Sequence, residues 1–382
     1  MTGPLSGPLS GIRVVDLTRV LAGPFCTMML AEQGAEIIKV ETPKGGDDAR
    51  HIGPFVDGRS GYFMSINRGK KSIALDLKDA TDRAHFETLL ETADILVENY
   101  RGGTMEKLGY GWDDLRARYP RLIYCAISGF GHTGPYATRP AYDMIVQAMG
   151  GILSVTGYPG DPPARVGVSI GDLVAGIYGA GAIQGALFHR ERTGETQKLD
   201  IAMLDCQVSL LENAIAQTHV NGSPPGPLGA RHPAIAPFGM FAARDGYLAI
   251  AAGNDSLFAT LCETLGIEAL LADPRFASNP KRMENVDALT AAMNASLAGA
   301  TSANWFAKLE AAGVPCGPIN SVADVMADPQ VNARNMIVQI DDASGPFPTP
   351  GNPIKSSIFP DDPTRPAAPK LDEHRTEILG ET

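Results

Sequence analysis

Residues 167–192 constrain the fold more than any other stretch of this sequence. A short apolar run ends at Gly171, Asp172 follows it, and a helical pattern continues to Arg192. Glycine lowers the stability of helices and strands, yet it recurs throughout the stretch. Its positions are Gly167, Gly171, Gly176, Gly179, Gly181 and Gly185. This pattern predicts that another backbone, or a bulky ligand, comes close to the helix.

Asp172 has two interpretations from its position alone. Aspartate is a favoured N-cap residue, and Asp172 stands where the helical pattern begins. Alternatively, a carboxylate held at the positive end of a helix, with its oxygens exposed, is suited to act as a nucleophile. The N-cap interpretation leaves the surrounding glycines unexplained.

The length and charge of the chain limit its fold and its partners. Its 382 residues are more than one ordinary core accommodates and predict two domains. The hydrophobic fraction of 44% and the charged fraction of 20% are typical of a globular protein. A formal net charge of −11 argues against nucleic acid and anionic membranes as partners.

The cysteines, the histidines and the hydropathy predict a cytoplasmic protein without a metal site. Five scattered cysteines, none of them in a Cys-x-x-Cys pair, indicate reduced thiols and no zinc site. The seven histidines lack the spacing of metal ligands. We find no apolar run of about 18 residues and no charged-then-apolar leader, and therefore expect a cytoplasmic location.

The N-terminal segment has the pattern of a parallel sheet. Residues 12–17 and 36–41 are short apolar strands, and residues 25–33 between them have a helical pattern that begins after a Gly-Pro turn. Strand, helix and strand within about thirty residues predict a βαβ unit and an α/β fold. Because the turn contains a single glycine, the unit lacks the dinucleotide-binding fingerprint.

The predicted sheet has three candidate ligand-binding turns. Residues 95–98 and 122–127 also have the pattern of strands. Ligands of open α/β sheets bind at the carboxyl ends of strands. Polar or Gly-rich turns follow three of the predicted strands, around Ala22, Asn99 and Ser128. We expect these turns to converge on one pocket.

A Gly- and Pro-rich segment at 221–232 marks the predicted domain boundary. Beyond it, residues 238–252 alternate like a pair of strands around a turn. Helical patterns follow at 255–265, 285–298 and 302–312. The tail after these helices is Pro-rich, and we expect it to be extended.

Seven segments recur, in the same order, in a known family. They are residues 15–24, 34–41, 67–76, 97–100 (Val-Glu-Asn-Tyr) and 141–157, the pair Gly171-Asp172, and residues 313–318 (Gly-Val-Pro-Cys-Gly-Pro). Through them the chain resembles the family III CoA-transferases, which include formyl-CoA transferase and the α-methylacyl-CoA racemases. Each segment is weakly specific, but their common order makes the resemblance strong.

The resemblance implies an α/β fold with a large Rossmann-like domain of parallel sheet and a smaller α+β domain. The large, CoA-binding domain is expected at residues 1–200 and 330–382, and the small domain at 226–325. Residues 201–225 and 326–329 would then be linkers. The family forms interlocked homodimers, in which each chain threads through the ring of the other. Such backbone crossings would account for the glycine-rich helix.

Asp172 matches the family's catalytic aspartate. The resemblance implies that its carboxylate attacks a donor acyl-CoA to form a mixed anhydride, and that CoA converts this to an aspartyl-CoA thioester. The acceptor acid then reverses the steps. An aspartate with a pKa of about 3.9 is ionised at neutral pH, as this route requires, unless it is deeply desolvated. CoA and acyl-CoA are substrates, and no permanently bound cofactor is expected.

The matching segments also carry over the family's CoA contacts. Val20, Leu21 and Ala22 match the loop that lies along the cofactor. The other positions are Arg50 near the phosphates, Leu75, Asn99 and Tyr100 in the adenine pocket, Lys107 and Leu108 beside the nucleotide, and Tyr142 and Asp143 at the acyl end. For each of them, packing in the sheet or exposure at the surface is the alternative to a ligand contact.

The residues favour CoA transfer over racemisation. The racemases use a histidine in a Gly-His-Asp sequence as a base, whereas residues 140–143 here read Pro-Ala-Tyr-Asp, and tyrosine is a poor base. The glycine run of formyl-CoA transferase is also missing, which argues against formyl-CoA/oxalate exchange. The chain is more similar to transferases of succinyl-CoA and other dicarboxylic acids, with Arg231 or Arg165 as candidates to bind the distal carboxylate. A racemase and a non-catalytic CoA-binding protein are the alternatives.

Overall fold

The computed structural model describes residues 5–342 and 345–380. The chain divides into two compact units. The first unit contains the residues up to 154, residues 165–225 and those from 329 onward, and the second contains 155–164 and 226–328. Each unit has a hydrophobic core of its own.

The strands, in chain order, are β1 (Arg13–Asp16), β2 (Glu36–Glu41), β3 (Phe55–Val56), β4 (Arg59–Ser60), β5 (Lys71–Ala74), β6 (Ile95–Glu98), β7 (Ile123–Ser128), β8 (Lys198–Ala202), β9 (Phe238–Ala243), β10 (Gly246–Ala251), β11 (Cys316–Pro318), β12 (Ile337–Asp341), β13 (Phe347–Pro350) and β14 (Thr364–Pro366).

The α-helices are α1 (Ala22–Ala31), α2 (Gly61–Asn67), α3 (Ala80–Thr92), α4 (Thr104–Leu108), α5 (Trp112–Arg118), α6 (Asp143–Met149), α7 (Ile152–Val155), α8 (Ile170–Thr193), α9 (Met203–Ser209), α10 (Glu212–Asn221), α11 (Asp255–Leu265), α12 (Asn279–Glu284), α13 (Val286–Leu297), α14 (Ser302–Ala311), α15 (Val322–Ala327), α16 (Pro329–Ala333) and α17 (Arg375–Leu379). Short 3-10 helices occupy Asp48–His51, Glu268–Ala272 and Pro274–Phe276.

A six-stranded sheet with the order β5-β2-β1-β6-β7-β8 forms the centre of the first unit. Every pairing within it is parallel. Strands β6 and β7 are buried along their whole length, as expected when helices cover both faces of a parallel sheet. The predicted α/β fold with a large parallel sheet is therefore confirmed.

Successive residues of the central strand face two different cores. Val14 packs in the core that contains Cys26 of α1 and Ile183 of α8. Val15 packs in the core that contains Phe86 of α3. Because side chains alternate along a strand, one short apolar run supplies both cores.

Helices α8 and α1 cross at very short range. A Cβ added at Gly176 would lie 2.8 Å from the Ala22 carbonyl oxygen, and one added at Gly179 would lie 3.1 Å from Sγ of Cys26. Two of the predicted close approaches therefore occur within a single chain. Gly181 and Gly185 differ, because an added Cβ there would meet no atom of the described residues within 4 Å.

The second unit contains the antiparallel sheet β11-β10-β9. Phe241 and Leu248 from this sheet pack against Leu261 of α11 and Trp305 of α14. The strand pair expected at 238–252 is the hairpin β9–β10. The helix expected at 255–265 is α11, with Asn254 as its N-cap.

Three segments outside the large sheet and the β9–β10 hairpin also contain regular structure. Residues 201–225, expected to be a linker, contain α9 and α10. Residues 42–61, which are rich in glycine and charged residues, contain a 3-10 turn and the hairpin β3–β4. The tail, expected to be extended, supplies β13 and β14, which flank β12 in a three-stranded sheet. The pairing of β14 with β12 depends on residues distant in sequence, which local patterns do not encode.

Helix α8 also meets a criterion that the sequence analysis expected no stretch to meet. Among the described residues it alone is long and apolar enough to cross a membrane, with a mean hydropathy of 1.2. Length and composition are the only basis for that criterion, and the core helices of other proteins meet it too. With 44% of the apolar window buried against the rest of the chain, the criterion is weak evidence for a membrane span.

Candidate active site

A cavity of about 390 Å³ opens in the first unit where β1, β6 and β7 end. The three turns predicted to converge, around Ala22, Asn99 and Ser128, all line it. Asp172, in the first turn of α8, lines it as well. The sheet therefore brings a carboxylate together with the turns at which α/β sheets bind ligands.

A second cavity, of about 650 Å³, lies between the N-terminal residues and the tail. Four of the five charged side chains around it, those of Glu32, Lys355, Asp361 and Arg365, are paired with each other. Arg365 donates to Glu32 over 2.8 Å, and Lys355 pairs with Asp361. The cavity at Asp172 is therefore the better candidate for chemistry.

Asp172 is not the N-cap of its helix. Helix α8 begins at Ile170 after Ser169, which places Asp172 at the third helical position. The N-cap interpretation is therefore wrong. Burial of the carboxyl group, and next the negative charge of Asp143, raise the pKa of Asp172 to about 7, while the backbone N–H of Ala22 donates to it and acts in the opposite direction.

The Asp143 carboxylate binds the backbone at the start of α8. Its side chain is 11% exposed. Its carboxylate accepts hydrogen bonds from the Gly171 N–H at 2.9 Å, from Gln147 at 2.8 Å and from Arg165 at 2.9 Å. These bonds hold the backbone next to Asp172 in place. A Cβ at Gly171 would lie 3.1 Å from the Asp143 carboxylate, so glycine permits this approach.

A buried acid also fixes the turn after β6. Glu98 accepts hydrogen bonds from the Tyr100 N–H at 2.6 Å and from the Tyr124 hydroxyl at 2.8 Å. Burial raises the pKa of Glu98 to about 7. His132 lies 3.7 Å from Glu98, and its other ring nitrogen lies 3.1 Å from Lys198. Glu98, Tyr124, His132 and Lys198 do not line the cavity themselves.

The structure brings most of the sequence-predicted site residues to the cavity and leaves others elsewhere. The residues that line it are Val20, Leu21, Ala22, Asn99, Tyr100, Tyr142 and Asp172. Leu75 lies instead in the core of the sheet, 3% exposed. Lys107 and Leu108 lie on α4 without lining the cavity, although Thr104 of the same helix does. Asp143 contacts Gly171 beside the cavity.

Arg50 is committed to other partners. Its guanidinium donates twice to Glu41 at 2.7 Å and once to the Pro369 carbonyl, and it lies 3.8 Å from the centre of the Phe63 ring. The structure therefore does not place Arg50 at the cavity. Arg165 is paired with Asp143, and Arg231 with Asp287 in the second unit.

The basic residues of the cavity, which are Arg19, Arg101 and Arg139, were not among the predicted site residues. Arg19 pairs with Asp48, and Arg139 lies 3.8 Å from the centre of the Tyr136 ring. Two of the three stand directly beside residues that were predicted, since Arg19 precedes Val20 and Arg101 follows Tyr100. A basic residue next to a predicted binding turn could therefore have identified Arg19 and Arg101. No such neighbour pointed to Arg139.

Comparison with known proteins identifies the family. A family model described as CoA-transferase family III matches residues 9–375. The chain belongs to this family. It is 47% identical to the acetyl-CoA:oxalate CoA-transferase of Acetobacter aceti, over 98% of this chain and 96% of that one. It is 43% identical to the succinate–glutarate CoA-transferase of Agrobacterium fabrum, over 98% and 95% of the two chains.

A solved structure agrees with this assignment. The crystal structure of a CAIB/BAIF family protein from Brucella suis matches with a TM-score of 0.88 and 42% identity, over 98% of this chain and 99% of that one. The prediction that the chain is an enzyme, a family III CoA-transferase, is confirmed. CoA thioesters are the substrates of this class. Its named relatives include transferases of oxalate, succinate and glutarate, in agreement with the predicted resemblance to dicarboxylate enzymes.

The raised pKa of Asp172 predicts a pH-dependent stability difference between this CoA-transferase and Asp172→Asn. Between about pH 4 and pH 7 the folded protein keeps a proton on Asp172 that the unfolded chain has lost, so this residue lowers the free energy of unfolding as the pH rises. Asparagine does not titrate. We therefore expect Asp172→Asn to gain stability relative to the parent across this interval, and the gain to level off above it.

Urea unfolding of both proteins at a series of pH values measures this difference. The other titrating groups are common to the two proteins and cancel in it. A difference in unfolding free energy that is the same at pH 5 and pH 8 would show that the Asp172 carboxyl titrates normally.

Proposed function

We propose that Asp172 is the nucleophile of CoA transfer and that it carries the acyl group and then CoA in turn. Its carboxylate attacks the thioester carbonyl of the donor, which forms a mixed anhydride and releases CoA thiolate. The thiolate attacks the aspartyl carbonyl, which gives an aspartyl-CoA thioester and frees the donor acid. The acceptor carboxylate then attacks that thioester, and the released thiolate takes up the acceptor acyl group and regenerates Asp172. No net proton transfer is needed.

One observation carries the proposal: Asp172 lines the cavity at the carboxyl ends of the parallel strands. Among the carboxylates of this cavity, Asp48 is occupied by an ion pair with Arg19 over 2.5 Å. Asp172 has no ion pair among the described residues. A carboxylate without a cationic partner keeps its lone pairs available for attack.

The environment of Asp172 supports covalent catalysis in two ways. Asp143, through Gly171, fixes the backbone from which the side chain projects. The Ala22 N–H stabilises negative charge at the carboxylate. The same N–H is suited to stabilise the oxyanion that forms when CoA thiolate attacks the aspartyl carbonyl.

The ionisation of Asp172 sets the pH range of the reaction. With a pKa of about 7, only about half of the unliganded protein carries the nucleophilic carboxylate at neutral pH. The rate of acylation should therefore rise with pH through this value. This differs from the expectation for an ordinary aspartate, because burial beside Asp143 disfavours the charge.

We propose that CoA lies along the turns that line the cavity. Val20, Leu21 and Ala22 would contact the pantetheine arm, and Tyr100 the nucleotide. Tyr142, which is 75% exposed, would border the acyl group. Arg101 and Arg139 supply positive charge at the same cavity, as a phosphorylated ligand requires.

The acids are proposed to be short dicarboxylates, such as succinate carried by succinyl-CoA. The names of the Acetobacter and Agrobacterium relatives support this proposal. Arg165 is the proposed partner of the distal carboxylate, because its bond to Asp143 places it two contacts from Asp172. The sequence argued against formyl-CoA/oxalate exchange, whereas the Acetobacter relative is named for oxalate, so oxalate is tested as an acceptor with acetyl-CoA as donor.

We further propose an interlocked homodimer located in the cytoplasm. Helix α10 is ten residues long and buries none of them within the chain. Helices of this length are marginally stable in water without tertiary packing. One face of α8 is also apolar and open, with Ile177 at 50% and Phe188 at 65% exposure on either side of Gly181 and Gly185. A second chain that covers both helices would supply the missing packing.

Removal of the Asp172 carboxylate should abolish transfer. We expect Asp172→Asn and Asp172→Ala to stay folded and to bind CoA, with kcat lower by at least about ten-thousandfold, as is typical when a covalent nucleophile is lost. Single-turnover transfer of CoA from succinyl-CoA measures the effect. Asp113→Asn, an exposed aspartate in the first turn of α5, is the matched control and should retain parental activity. Transfer by Asp172→Asn within about tenfold of the parent would refute the assignment.

The dicarboxylate proposal predicts a preference between matched acids. With succinyl-CoA as donor, we expect glutarate to exceed valerate in kcat/KM by about tenfold or more, because a hydrogen bond between charged groups contributes roughly 1.5–3 kcal/mol. Oxalate is assayed with acetyl-CoA as donor. Products are quantified by liquid chromatography with mass detection. Equal values for glutarate and valerate would exclude recognition of a second carboxylate.

The dimer proposal predicts a solution mass of twice 40.3 kDa by light scattering. Interlocked chains should keep that mass on dilution to nanomolar concentration, because they cannot separate without unfolding. Ile177→Glu combined with Phe188→Glu should abolish the dimer or the soluble protein, whereas Val322→Glu, at an exposed apolar position of α15, should leave the mass unchanged. A folded parent with the mass of one chain would contradict the proposal.

A further inference from the structure

The loop that joins β1 to α1 has an unusual backbone. Val20 has a φ of 66°. The left-handed region is unfavourable for β-branched residues and persists only where the surroundings enforce it. The loop also lines the cavity, where the next two residues, Leu21 and Ala22, lead into the helix. Something must therefore hold this conformation.

The side chain of Asn99 forms hydrogen bonds with both backbone polar groups of Arg19, the residue before Val20. The Arg19 N–H donates to Oδ1 of Asn99 over 2.8 Å, and Nδ2 of Asn99 donates to the Arg19 carbonyl over 2.7 Å. This two-point pairing fixes the Arg19 backbone much as a neighbouring strand would. It uses one donor and one acceptor of the Asn99 amide, which leaves less of that amide for an adenine ring.

A second clamp acts on the same loop from beneath. The Val20 N–H donates to Oδ1 of Asp47 over 2.9 Å. The Thr18 carbonyl accepts from Nζ of Lys39 over 2.7 Å. Asp47 and Lys39 are themselves paired over 2.9 Å and fully buried. Together with Asn99, these side chains hold the backbone of Thr18, Arg19 and Val20 in one conformation.

We propose that Asn99 is a positioning residue: its amide holds the Arg19 backbone so that Val20 keeps its left-handed conformation and the Ala22 N–H faces the Asp172 carboxylate. The inference rests on the proposed function, because it assigns the purpose of the loop as alignment of a donor on the nucleophile. Asn99 would act through the loop and not through the ligand.

The effect is read through the pKa of Asp172. The Ala22 N–H lowers this pKa, so loss of the alignment should raise it. The other groups that act on Asp172 are Asp143, which is paired with Arg165, and the Tyr62 hydroxyl. Arg19, Asp48, Arg101 and Arg139 line the same cavity. None of these groups is removed or changed in type when Asn99 is replaced by a neutral residue.

Asn99→Leu removes both bonds to Arg19 without adding charge. The Asp172→Asn substitution is made both in the parent protein and in the Asn99→Leu variant. In each case, the change in the free energy of unfolding caused by Asp172→Asn is measured as a function of pH. This gives the pKa of Asp172 in each background without any assay of activity. We expect a rise of about one to two pH units, because the lost hydrogen bond stabilised the charged form of the carboxyl group. Where Asn99→Leu does not fold, the smaller Asn99→Ser gives the same measurement.

Asn279→Leu is the matched control. Asn279 makes the same two-point contact in the second unit, where it accepts from the Ala236 N–H at 3.0 Å and donates to the Ala234 carbonyl at 2.9 Å. Its loss should cost comparable stability and leave the pKa of Asp172 unchanged. An unchanged pKa in Asn99→Leu as well would overturn the proposal.

The kinetics of Asn99→Leu separate positioning from ligand contact. Positioning predicts that the pH midpoint of kcat/KM moves upward by the same amount and that activity lost at pH 7 returns at pH 9. An adenine contact predicts a higher KM for acyl-CoA with the midpoint unchanged, which would overturn the proposal. If Asp172→Asn keeps transfer activity while the pKa still moves, the nucleophile assignment fails and the positioning of Asp172 by Asn99 stands.

Discussion

The close crossing of α8 and α1 is the contact on which the candidate site depends. Gly176 lets the helices approach until an added Cβ would meet the Ala22 carbonyl, and Gly179 does the same beside Cys26. Because of this approach, the first turn of α8 reaches the end of β1, where the Ala22 N–H meets Asp172. A larger residue at Gly176 would separate the Asp172 carboxylate from the Ala22 N–H. The close packing of α8 against α1 is therefore also what brings this hydrogen-bond donor to Asp172.

A buried set of charges beneath the crossing supports the loop that carries the donor. Lys70 bonds to Asp16 over 3.1 Å and Lys39 to Asp47 over 2.9 Å, with all four side chains excluded from solvent. Burying charges is costly unless each is paired and hydrogen-bonded. Burial lowers the pKa of Lys70 to about 8 despite its partner. These buried ion pairs lie directly below the loop, and they hold the left-handed backbone at Val20 in place.

The sequence predicted those parts of the fold that depend on local pattern. The limits of β2 and β6 were predicted residue by residue, since each is a short run with the pattern of a strand that ends before a turn. The start of α8 was missed, because Asp172 has the identity of a cap while the structure uses it in the first turn. Helix α10 lies in the segment assigned as a linker between the domains, and it buries none of its residues within the chain.

The cavity was predictable from the sequence in outline and not in detail. Strand ends located the turns at Ala22, Asn99 and Ser128, the start of the glycine-rich helix pointed to Asp172, and the family resemblance assigned Asp172 a catalytic role. Arg50, expected near the phosphates, is paired with Glu41, and this ion pair depends on a fold that sequence spacing does not reveal. For the same reason the sequence offered Asn99 as a ligand contact, whereas its hydrogen bonds to the Arg19 backbone exist only after β1 and β6 pair.

Transfer of oxygen from the acceptor acid to the protein tests the central claim most directly. In the proposed route, the acceptor attacks the aspartyl thioester through one of its oxygens, and that oxygen stays on Asp172 when the acyl group leaves as its CoA thioester. Turnover with an ¹⁸O-labelled dicarboxylate and an acyl-CoA, followed by digestion and mass spectrometry, should show heavy oxygen in the peptide that contains Asp172, and only when both substrates are present. Rapid CoA transfer with no heavy oxygen in that peptide would contradict the account.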